Sequence, residues 1–197
     1  MIEKNKIVGV LLAAGQSTRF GSNKCLKKLS NGNEIALQSA LNLKAHLDQV
    51  ICVIPENSHE LKSLFERNGF QILENKLSKE KGMSSSIKLA VKAASEAQAW
   101  LFCLADMPNI KPTSYQSLIS KLDQKHTIVI PKYNQQRGNP VGLSNGHYNQ
   151  IMALEGDVGA KQIFKQNAHD INFVDVNDEG ILQDIDTVAD YDSLKHI

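Results

Sequence analysis

The sequence predicts an α/β domain of three layers, in which helices cover both faces of a mainly parallel sheet. Short apolar runs, as found in strands that are buried on both faces, occur four times along the chain. Segments with apolar residues at the i, i+3, i+4 spacing of a helix follow these runs. Strands that alternate with helices form βαβ units, whose strands pair in parallel. The length of 197 residues suits a single domain over residues 1–197.

The predicted elements alternate in chain order. The predicted strands are residues 7–13, 50–54, 100–105 and 127–130. The predicted helices carry the apolar stripes Leu37, Ala40 and Leu41; Leu61, Leu64 and Phe65; Ile87, Ala90, Val91 and Ala94; and Tyr115, Leu118, Ile119 and Leu122. Ligands of parallel sheets bind beyond the carboxyl ends of the strands, so the residues that follow each strand are the first candidates for a site.

Composition excludes several classes of partner. Twenty-two Lys and Arg against 21 Asp and Glu give a formal net charge of +1, so we expect no nucleic acid partner. No apolar run approaches the roughly 18 residues of a membrane span, and the N-terminus lacks the apolar stretch of a signal peptide. Cys52 and Cys103 lie in predicted strands, where buried free thiols are expected. We therefore expect a cytoplasmic protein that has no membrane partner.

The loop after the first predicted strand has features of a triphosphate-binding site. Residues 13–24 read AAGQSTRFGSNK. The glycines allow close backbone approach and leave amides free to face an anion, while Arg19 and Lys24 add positive charge. The spacing matches neither the GxxxxGK[ST] loop nor GxGxxG. An ordinary loop with glycines and solvated basic residues would have the same composition, so the glycines alone leave both interpretations open.

Acidic residues occur at two places that could hold a metal ion. Asp106 follows the third predicted strand, and a carboxylate there faces the binding crevice of a parallel sheet. Mg²⁺ is usually held by one or two carboxylates together with substrate phosphates. Asp184 and Asp186 alternate with an apolar residue and would share one side of an extended segment. Asp106 could equally be a turn residue, and Asp186 or Thr187 could be the N-cap of a final helix over residues 188–196.

Six blocks of sequence resemble one known family, in that family's order, and span nearly the whole chain. The block LAAGQSTRFGSNK resembles the LAAGxSxRMGxxK signature of nucleotidyltransferases with the glycosyltransferase-A-like fold. The others are GMSSSI at 82–87, LADMP at 104–108, RGNPV at 137–141, GDVGAK at 156–161 and DIDT at 184–187. Together they are most similar to the molybdenum cofactor cytidylyltransferases of the MobA-like superfamily. The resemblance implies a Rossmann-like domain of the nucleotide-diphospho-sugar transferase type.

The resemblance also implies roles for individual residues. The catalytic residues would be Arg19, Lys24 and Asp106; the nucleotide would be bound by Ala13, Ala14, Gly15, Arg19, Lys24, Gly82 and Ser84; Mg²⁺ by Asp106 and Asp186; and the acceptor by Asn139 and Asp157. The serines at 84–86 begin a predicted helix, where simple N-capping is the alternative. Asn139 departs from the family, which usually has His there, and Asn cannot take up a proton near neutral pH.

The activity implied by the resemblance is transfer of CMP from CTP to molybdopterin, with Mg²⁺ as cofactor and a molybdoenzyme as client. Ala14 favours CTP, because guanylyltransferase relatives usually read Ala-Gly-Gly and a side chain at this position limits the space for a purine. A guanylyltransferase, or another small-molecule-phosphate nucleotidyltransferase of the same fold, is the nearest alternative. An alternative of another class is a non-catalytic carrier or insertion factor for the molybdenum cofactor.

Overall fold

The computed structural model describes residues 7–14, 24–122, 127–156 and 159–194. The strands are β1 (Ile7–Leu12), β2 (Gln49–Pro55), β3 (Gln71–Asn75), β4 (Ala99–Leu104), β5 (Ile128–Tyr133), β6 (Gln136–Arg137), β7 (Val141–Ser144) and β8 (Ile171–Asp175). The helices are α1 (Ile35–Lys44), α2 (His59–Arg67), α3 (Ser78–Ala93), α4 (Pro112–Ile119), α5 (Tyr148–Met152), α6 (Lys161–Gln166) and α7 (Val188–Leu194).

All eight strands belong to one sheet, in the order β3-β2-β1-β4-β7-β5-β6, with β8 paired to β5. The pairs β1–β2, β1–β4, β2–β3 and β5–β8 are parallel. β7 runs antiparallel to β4 and β5, and β6 runs antiparallel to β5. β1 lies between two neighbours, and all six of its residues are buried. The mainly parallel sheet predicted from the continuous apolar runs is therefore confirmed.

Two apolar clusters, one on each face of the sheet, form the core. Successive residues of a strand point to opposite faces, so Leu11 joins one cluster while Val10 and Leu12 join the other. Helices α1, α2 and α4 cover the first face, and α3, α5 and α6 cover the second. The three-layer arrangement is thus confirmed. Cys52 and Cys103 are free and buried, as expected, and burial raises the pKa of both thiols.

The predicted strands correspond to β1, β2, β4 and β5, and the predicted helical stripes to α1–α4. Four further strands, β3, β6, β7 and β8, carry no continuous apolar run and were not predicted. The final helix is observed from Val188 to Leu194, and residues 195–197 lie outside the described part of the chain. Within the described residues, no helix has both the length and the apolar character needed to cross a membrane.

Candidate active site

The candidate site lies at the carboxyl ends of β1 and β4. The Ala13 amide donates a hydrogen bond of 2.9 Å to the carbonyl oxygen of Val53, and the Ala105 amide donates one of 3.2 Å to the carbonyl oxygen of Leu12. These bonds continue the parallel pairing beyond the strand ends. They bring the start of the predicted phosphate-binding loop beside Asp106, at the edge where a parallel sheet binds ligands.

Lys24 joins two carboxylates that are far apart in the sequence. It begins the 3₁₀ turn Lys24–Leu26. Its Nζ lies 2.7 Å from Oδ2 of Asp106 and 2.7 Å from Oδ1 of Asp186. The Lys24 and Asp106 side chains are only 12% and 18% exposed, and Asp186 is 42% exposed. Because both oxygens contact the same nitrogen, the two carboxylates face one small volume that already accommodates a cation.

The electrostatics of this cluster keep Lys24 charged. Burial has the largest single effect on the pKa of Lys24 and by itself lowers it. The hydrogen bonds and negative charges of Asp106 and Asp186 together outweigh burial, so the pKa of Lys24 is raised above its ordinary value. At neutral pH Lys24 is therefore an ammonium, and it lies between the side chains of Asp106 and Asp186.

One oxygen of the cluster has no partner. Oδ1 of Asp106 is buried and receives no hydrogen bond from the described residues. A buried carboxylate oxygen that is left unpaired is costly, and in native proteins such an atom is usually satisfied by another group or an ion. This oxygen therefore identifies a position where a further donor or a cation would be stabilised.

The residues of the cluster fit a divalent cation that binds together with substrate. Carboxylate oxygens are the ligands that Mg²⁺ prefers, and Mg²⁺ needs only one or two of them besides phosphates and water. In the described part of the chain, no group of three or more His, Cys, Asp or Glu is arranged to hold a metal ion. Asp106 and Asp186 would thus hold the metal only in part and leave coordination positions for phosphate oxygens.

A C-terminal segment, residues 178–186, brings Asp186 to the cluster, and Asp178 anchors its start. Asp178 is 1% exposed. Its Oδ2 accepts hydrogen bonds from the Lys111 amide (2.8 Å) and the Ser114 hydroxyl (2.6 Å), and its Oδ1 accepts one from the Gly180 amide (3.0 Å). The segment is thereby tied to the first turn of α4.

The same segment contacts the predicted acceptor loop before it reaches the cluster. The Asn139 amide donates a hydrogen bond of 2.9 Å to the carbonyl oxygen of Ile181. A Cβ atom at Gly138 would overlap that same carbonyl oxygen, which explains a glycine at this position of the RGNP block. The Ile185 amide then donates a bond of 3.0 Å to the carbonyl oxygen of Asp106. The segment thus connects Asn139 with the two carboxylates.

Replacing Asp178 by alanine is expected to lower the free energy of unfolding by about 2–4 kcal/mol, because a buried hydroxyl and two amides lose their charged acceptor. Urea unfolding followed by circular dichroism measures this effect. The matched control is Asp175→Ala at an exposed carboxylate of β8, where a change below about 0.5 kcal/mol is expected. Equal stabilities of the two variants would contradict the anchoring role.

Helix α7 begins with a capping box that resolves the alternative roles of Asp186 and Thr187. The Thr187 hydroxyl accepts a hydrogen bond from the Asp190 amide (3.2 Å), and Oδ2 of Asp190 accepts one from the Thr187 amide (2.7 Å). Hydrogen bonds from Thr187 lower the pKa of Asp190. Thr187 is therefore the N-cap, and the carboxylate of Asp186 contacts Lys24 instead.

The block at residues 82–87 lies at a kink that divides α3 into two helical stretches, so its serines are at the start of the second stretch, as predicted. Gly82 has φ 60° and ψ −157°, which interrupts the helix in a conformation that side chains disfavour. Asn75 donates hydrogen bonds of 2.8 Å to the hydroxyls of both Ser85 and Ser86. These two buried hydroxyls thus attach the end of β3 to α3. Ser84 is also buried, at 1% exposure, and its nucleotide-binding role stays a prediction.

A pocket of about 520 Å³ lies between α6 and the strands β5, β7 and β8. Its polar lining consists of Arg137, Asn139, Lys161 and Lys165, and its apolar lining includes Ile130, Val141, Phe164 and Phe173. The loop before α6 is attached to α3, because the Ser84 amide donates a bond of 3.3 Å to the carbonyl oxygen of Gly156. The pocket was not predicted from the sequence, apart from Asn139.

The structure thus groups part of the predicted site. Lys24, Asp106 and Asp186 form one cluster; Ala13 and Ala14 lie at the same sheet edge; Gly82 and Ser84 lie in α3; and Asn139 lines the pocket. Gly15, Arg19 and Asp157 lie outside the described residues. Sequence reasoning gave no role to Asp178 and Lys165, which lie in no motif. It also gave none to Arg137 and Lys161, although these two residues belong to the RGNPV and GDVGAK blocks.

Comparison with known proteins gives a consistent family. A family model described as "MobA-like NTP transferase domain" matches residues 9–171. The purine catabolism protein PucB of Bacillus subtilis is 27% identical over 198 residues, which cover 96% of each chain. A probable molybdenum cofactor guanylyltransferase of Halalkalibacterium halodurans is 31% identical over 142 residues, which cover 69% of this chain and 68% of the relative.

A solved structure shows the same fold. The crystal structure of Rv0371C from Mycobacterium tuberculosis, a complex with manganese, superposes with a TM-score of 0.77 and covers 98% of this chain and 99% of the mycobacterial chain. The two sequences are 22% identical, so the likeness concerns the fold.

Proposed function

Because the chain belongs to the family of MobA-like NTP transferase domains, we propose that it transfers CMP from CTP to a molybdopterin-type acceptor and releases pyrophosphate. The observation that carries this proposal is the contact of Lys24 with Asp106 and Asp186, at 2.7 Å each. One cationic side chain and two carboxylates at the carboxyl edge of a parallel sheet are what a triphosphate and its metal ion require.

Each residue of the cluster has a chemical task in this reaction. The Lys24 ammonium binds phosphate oxygens of the nucleotide and neutralises the charge that develops on them, together with Arg19 and the amides of the loop around Gly15. Asp106 and Asp186 would hold Mg²⁺, which supplies further charge neutralisation on the phosphates. An oxygen of the acceptor phosphate attacks the α-phosphorus in line, and the bond from this phosphorus to the β-bridging oxygen breaks, which releases pyrophosphate.

No side chain is assigned as a general base. A phosphate monoester has a second pKa near 6, so the attacking oxygen is already ionised at neutral pH. The work of the protein is positioning and electrostatic stabilisation, which agrees with a cluster made only of charged side chains.

The choice of CTP rests on Ala14. This residue is 9% exposed and belongs to the apolar cluster that contains Ile87, so its methyl group occupies space at the end of β1. A smaller pyrimidine fits beside that methyl group more readily than a purine. GTP is the second candidate, because the Halalkalibacterium relative is named a molybdenum cofactor guanylyltransferase.

The test is pyrophosphate release by purified protein with Mg²⁺ and molybdopterin, with CTP, GTP, ATP and UTP offered separately. We expect release with CTP only, and none when molybdopterin is omitted. Release with GTP instead would assign guanylyl transfer and overturn the role of Ala14. Nucleotide binding without release in any mixture would favour the carrier of molybdenum cofactor over an enzyme.

A further inference from the structure

Helix α1 carries two polar side chains on the side that contacts the segment after β4. Ser39 and Asn42 are three positions apart, so they lie on one side of the helix. Ser39 is 1% exposed and lies among the buried apolar residues of α1, while Asn42 is partly buried. Serine and asparagine are weaker helix formers than the alanine or leucine that would suit a core-facing position. Their contacts outside the helix explain why they stand there.

The two side chains donate hydrogen bonds to the backbone on both sides of Asp106. The Ser39 hydroxyl lies 3.0 Å from the carbonyl oxygen of Ala105 and 3.1 Å from a carbonyl oxygen one turn earlier in α1, and it shares its proton between them. Nδ2 of Asn42 donates a bond of 2.7 Å to the carbonyl oxygen of Pro108. Helix α1 thus holds one peptide group before Asp106 and one after it.

These two anchors leave the backbone of Asp106 little freedom. The peptide group between Ala105 and Asp106 is planar, so the direction of the Ala105 carbonyl also fixes the direction of the Asp106 amide and Cα. The ring of Pro108 fixes its own φ and restricts the conformation of Met107. The carbonyl oxygen of Asp106 itself accepts the hydrogen bond from the Ile185 amide, at 3.0 Å. The carboxylate of Asp106 therefore extends from a Cα atom whose position is fixed from both sides.

A chain of side-chain amides orients Asn42. Nε2 of Gln38 donates a bond of 2.7 Å to Oδ1 of Asn42. Oε1 of Gln38 in turn accepts bonds from the side-chain amides of Asn31 (2.7 Å) and Asn33 (2.9 Å). All donors of this chain point toward Pro108, so each bond polarises the next one in the same direction. Because Gln38 occupies Oδ1 of Asn42, Nδ2 of Asn42 faces Pro108.

The orientation of Asp106 matters for the chemistry of the cluster. Its Oδ2 contacts Lys24, and its buried Oδ1 is the oxygen at which a cation would be stabilised. Mg²⁺ requires near-ideal octahedral geometry, so a rotated carboxylate binds it less well. Groups that orient a metal-binding side chain typically contribute about 10–100-fold to metal affinity.

We propose that Ser39 and Asn42 are positioning residues, which hold Asp106 in the orientation in which its carboxylate receives the metal ion. Both act through the carbonyl groups of Ala105 and Pro108 and touch neither substrate nor metal. The inference rests on the proposed function for the role of the metal, whereas the fixed backbone of Asp106 stands independently of it.

The first test measures metal binding by the double variant Ser39→Ala/Asn42→Leu, which keeps the side-chain volumes close to the original and removes both donors. Electron paramagnetic resonance of free Mn²⁺, titrated with protein and CTP, should show about tenfold weaker binding than to the unmodified protein. If this double variant does not fold, Asn42→Leu alone, at the partly buried position, is compared with Asn145→Leu.

The matched control is Ser144→Ala/Asn145→Leu, which removes the same residue types at the opposite edge of the sheet. Ser144 pairs with Ala99, at the amino end of β4, and its buried hydroxyl accepts a bond of 2.9 Å from the Thr127 amide. Nδ2 of Asn145 donates a bond of 2.7 Å to the carbonyl oxygen of Ala97. This variant loses comparable hydrogen bonds, and we expect its Mn²⁺ affinity to be normal. Equal Mn²⁺ affinities of the two double variants would overturn the proposal.

Hydrogen exchange of the Ile185 amide gives a readout that needs neither metal nor nucleotide. This amide is bonded to the carbonyl oxygen of Asp106, so its exchange reports whether that carbonyl stays in place. We expect exchange about tenfold faster in Ser39→Ala/Asn42→Leu than in Ser144→Ala/Asn145→Leu. If Asp106→Asn binds Mn²⁺ normally, the metal role in the proposed function fails, and the exchange of Ile185 alone decides whether Ser39 and Asn42 fix Asp106. Equal exchange rates in the two double variants would show that they do not.

Discussion

The Asp106→Asn variant is expected to lose about a thousandfold in turnover while it keeps its fold. Asparagine has the shape of aspartate but no charge, so the buried position of Oδ1 would no longer hold a divalent cation. A bound metal ion contributes several kcal/mol of charge stabilisation in phosphoryl-type transfer, and about 4 kcal/mol corresponds to a thousandfold in rate. Pyrophosphate release at saturating substrates measures this loss.

Binding of Mn²⁺ provides a readout that does not depend on activity. Electron paramagnetic resonance of free Mn²⁺, titrated with protein and CTP, should show markedly weaker binding to Asp106→Asn than to the unmodified protein. The matched control is Asp48→Asn, an exposed carboxylate immediately before β2 and thus at the opposite edge of the sheet. Unchanged Mn²⁺ affinity together with turnover within tenfold of normal would show that Asp106 holds no metal.

The central part of the fold could be predicted because it repeats one physical pattern. β1, β2 and β4 are flanked by strands on both sides and covered by helices on both faces, so their buried residues form continuous apolar runs. The helices that cover them need a single apolar stripe, which is visible in the sequence at the spacing of a helix.

The outer strands could not be predicted in this way. β3 lies at one edge of the sheet and β8 pairs with β5 alone, and both are only partly buried, so polar residues such as Glu74 and Asn172 interrupt any apolar run. β7 is short and contains Gly142, where a Cβ atom would overlap Leu122. Their pairing is decided by tertiary contacts, which leave no periodic signal in a single sequence.

The cluster at Lys24 was predictable by motif, but its geometry was not. The resemblance of the sequence to a known family named Lys24, Asp106 and Asp186 and implied that both carboxylates hold one metal ion, but it gave no structural reason for these residues to meet. They meet because Asp178 anchors residues 178–186 to α4, and because the Ile185 amide bonds to the carbonyl oxygen of Asp106. Both contacts join residues more than sixty positions apart, which no local pattern reveals.

The Lys24→Met variant is expected to change turnover and metal affinity in opposite directions. Methionine keeps the length of the side chain and removes its charge, so the phosphates lose one fixed cationic donor. Loss of one such donor typically lowers turnover by about 10²–10³-fold. Pyrophosphate release measures this effect, and Lys27→Met, at an exposed lysine three residues further on, serves as the matched control with normal turnover expected.

The metal affinity of the same variant is expected to rise when no nucleotide is present. In the unmodified protein the ammonium of Lys24 occupies the volume between Asp106 and Asp186, so a divalent cation must compete with it. Without that charge the two carboxylates repel each other and attract a metal ion more strongly, and we expect Mn²⁺ to bind about tenfold more tightly. Addition of CTP should remove most of this difference, because the triphosphate gives Lys24 of the unmodified protein a new partner. Weaker Mn²⁺ binding to Lys24→Met than to Lys27→Met in the absence of nucleotide would contradict this competition, and would mean that Lys24 supports the metal site instead of occupying it.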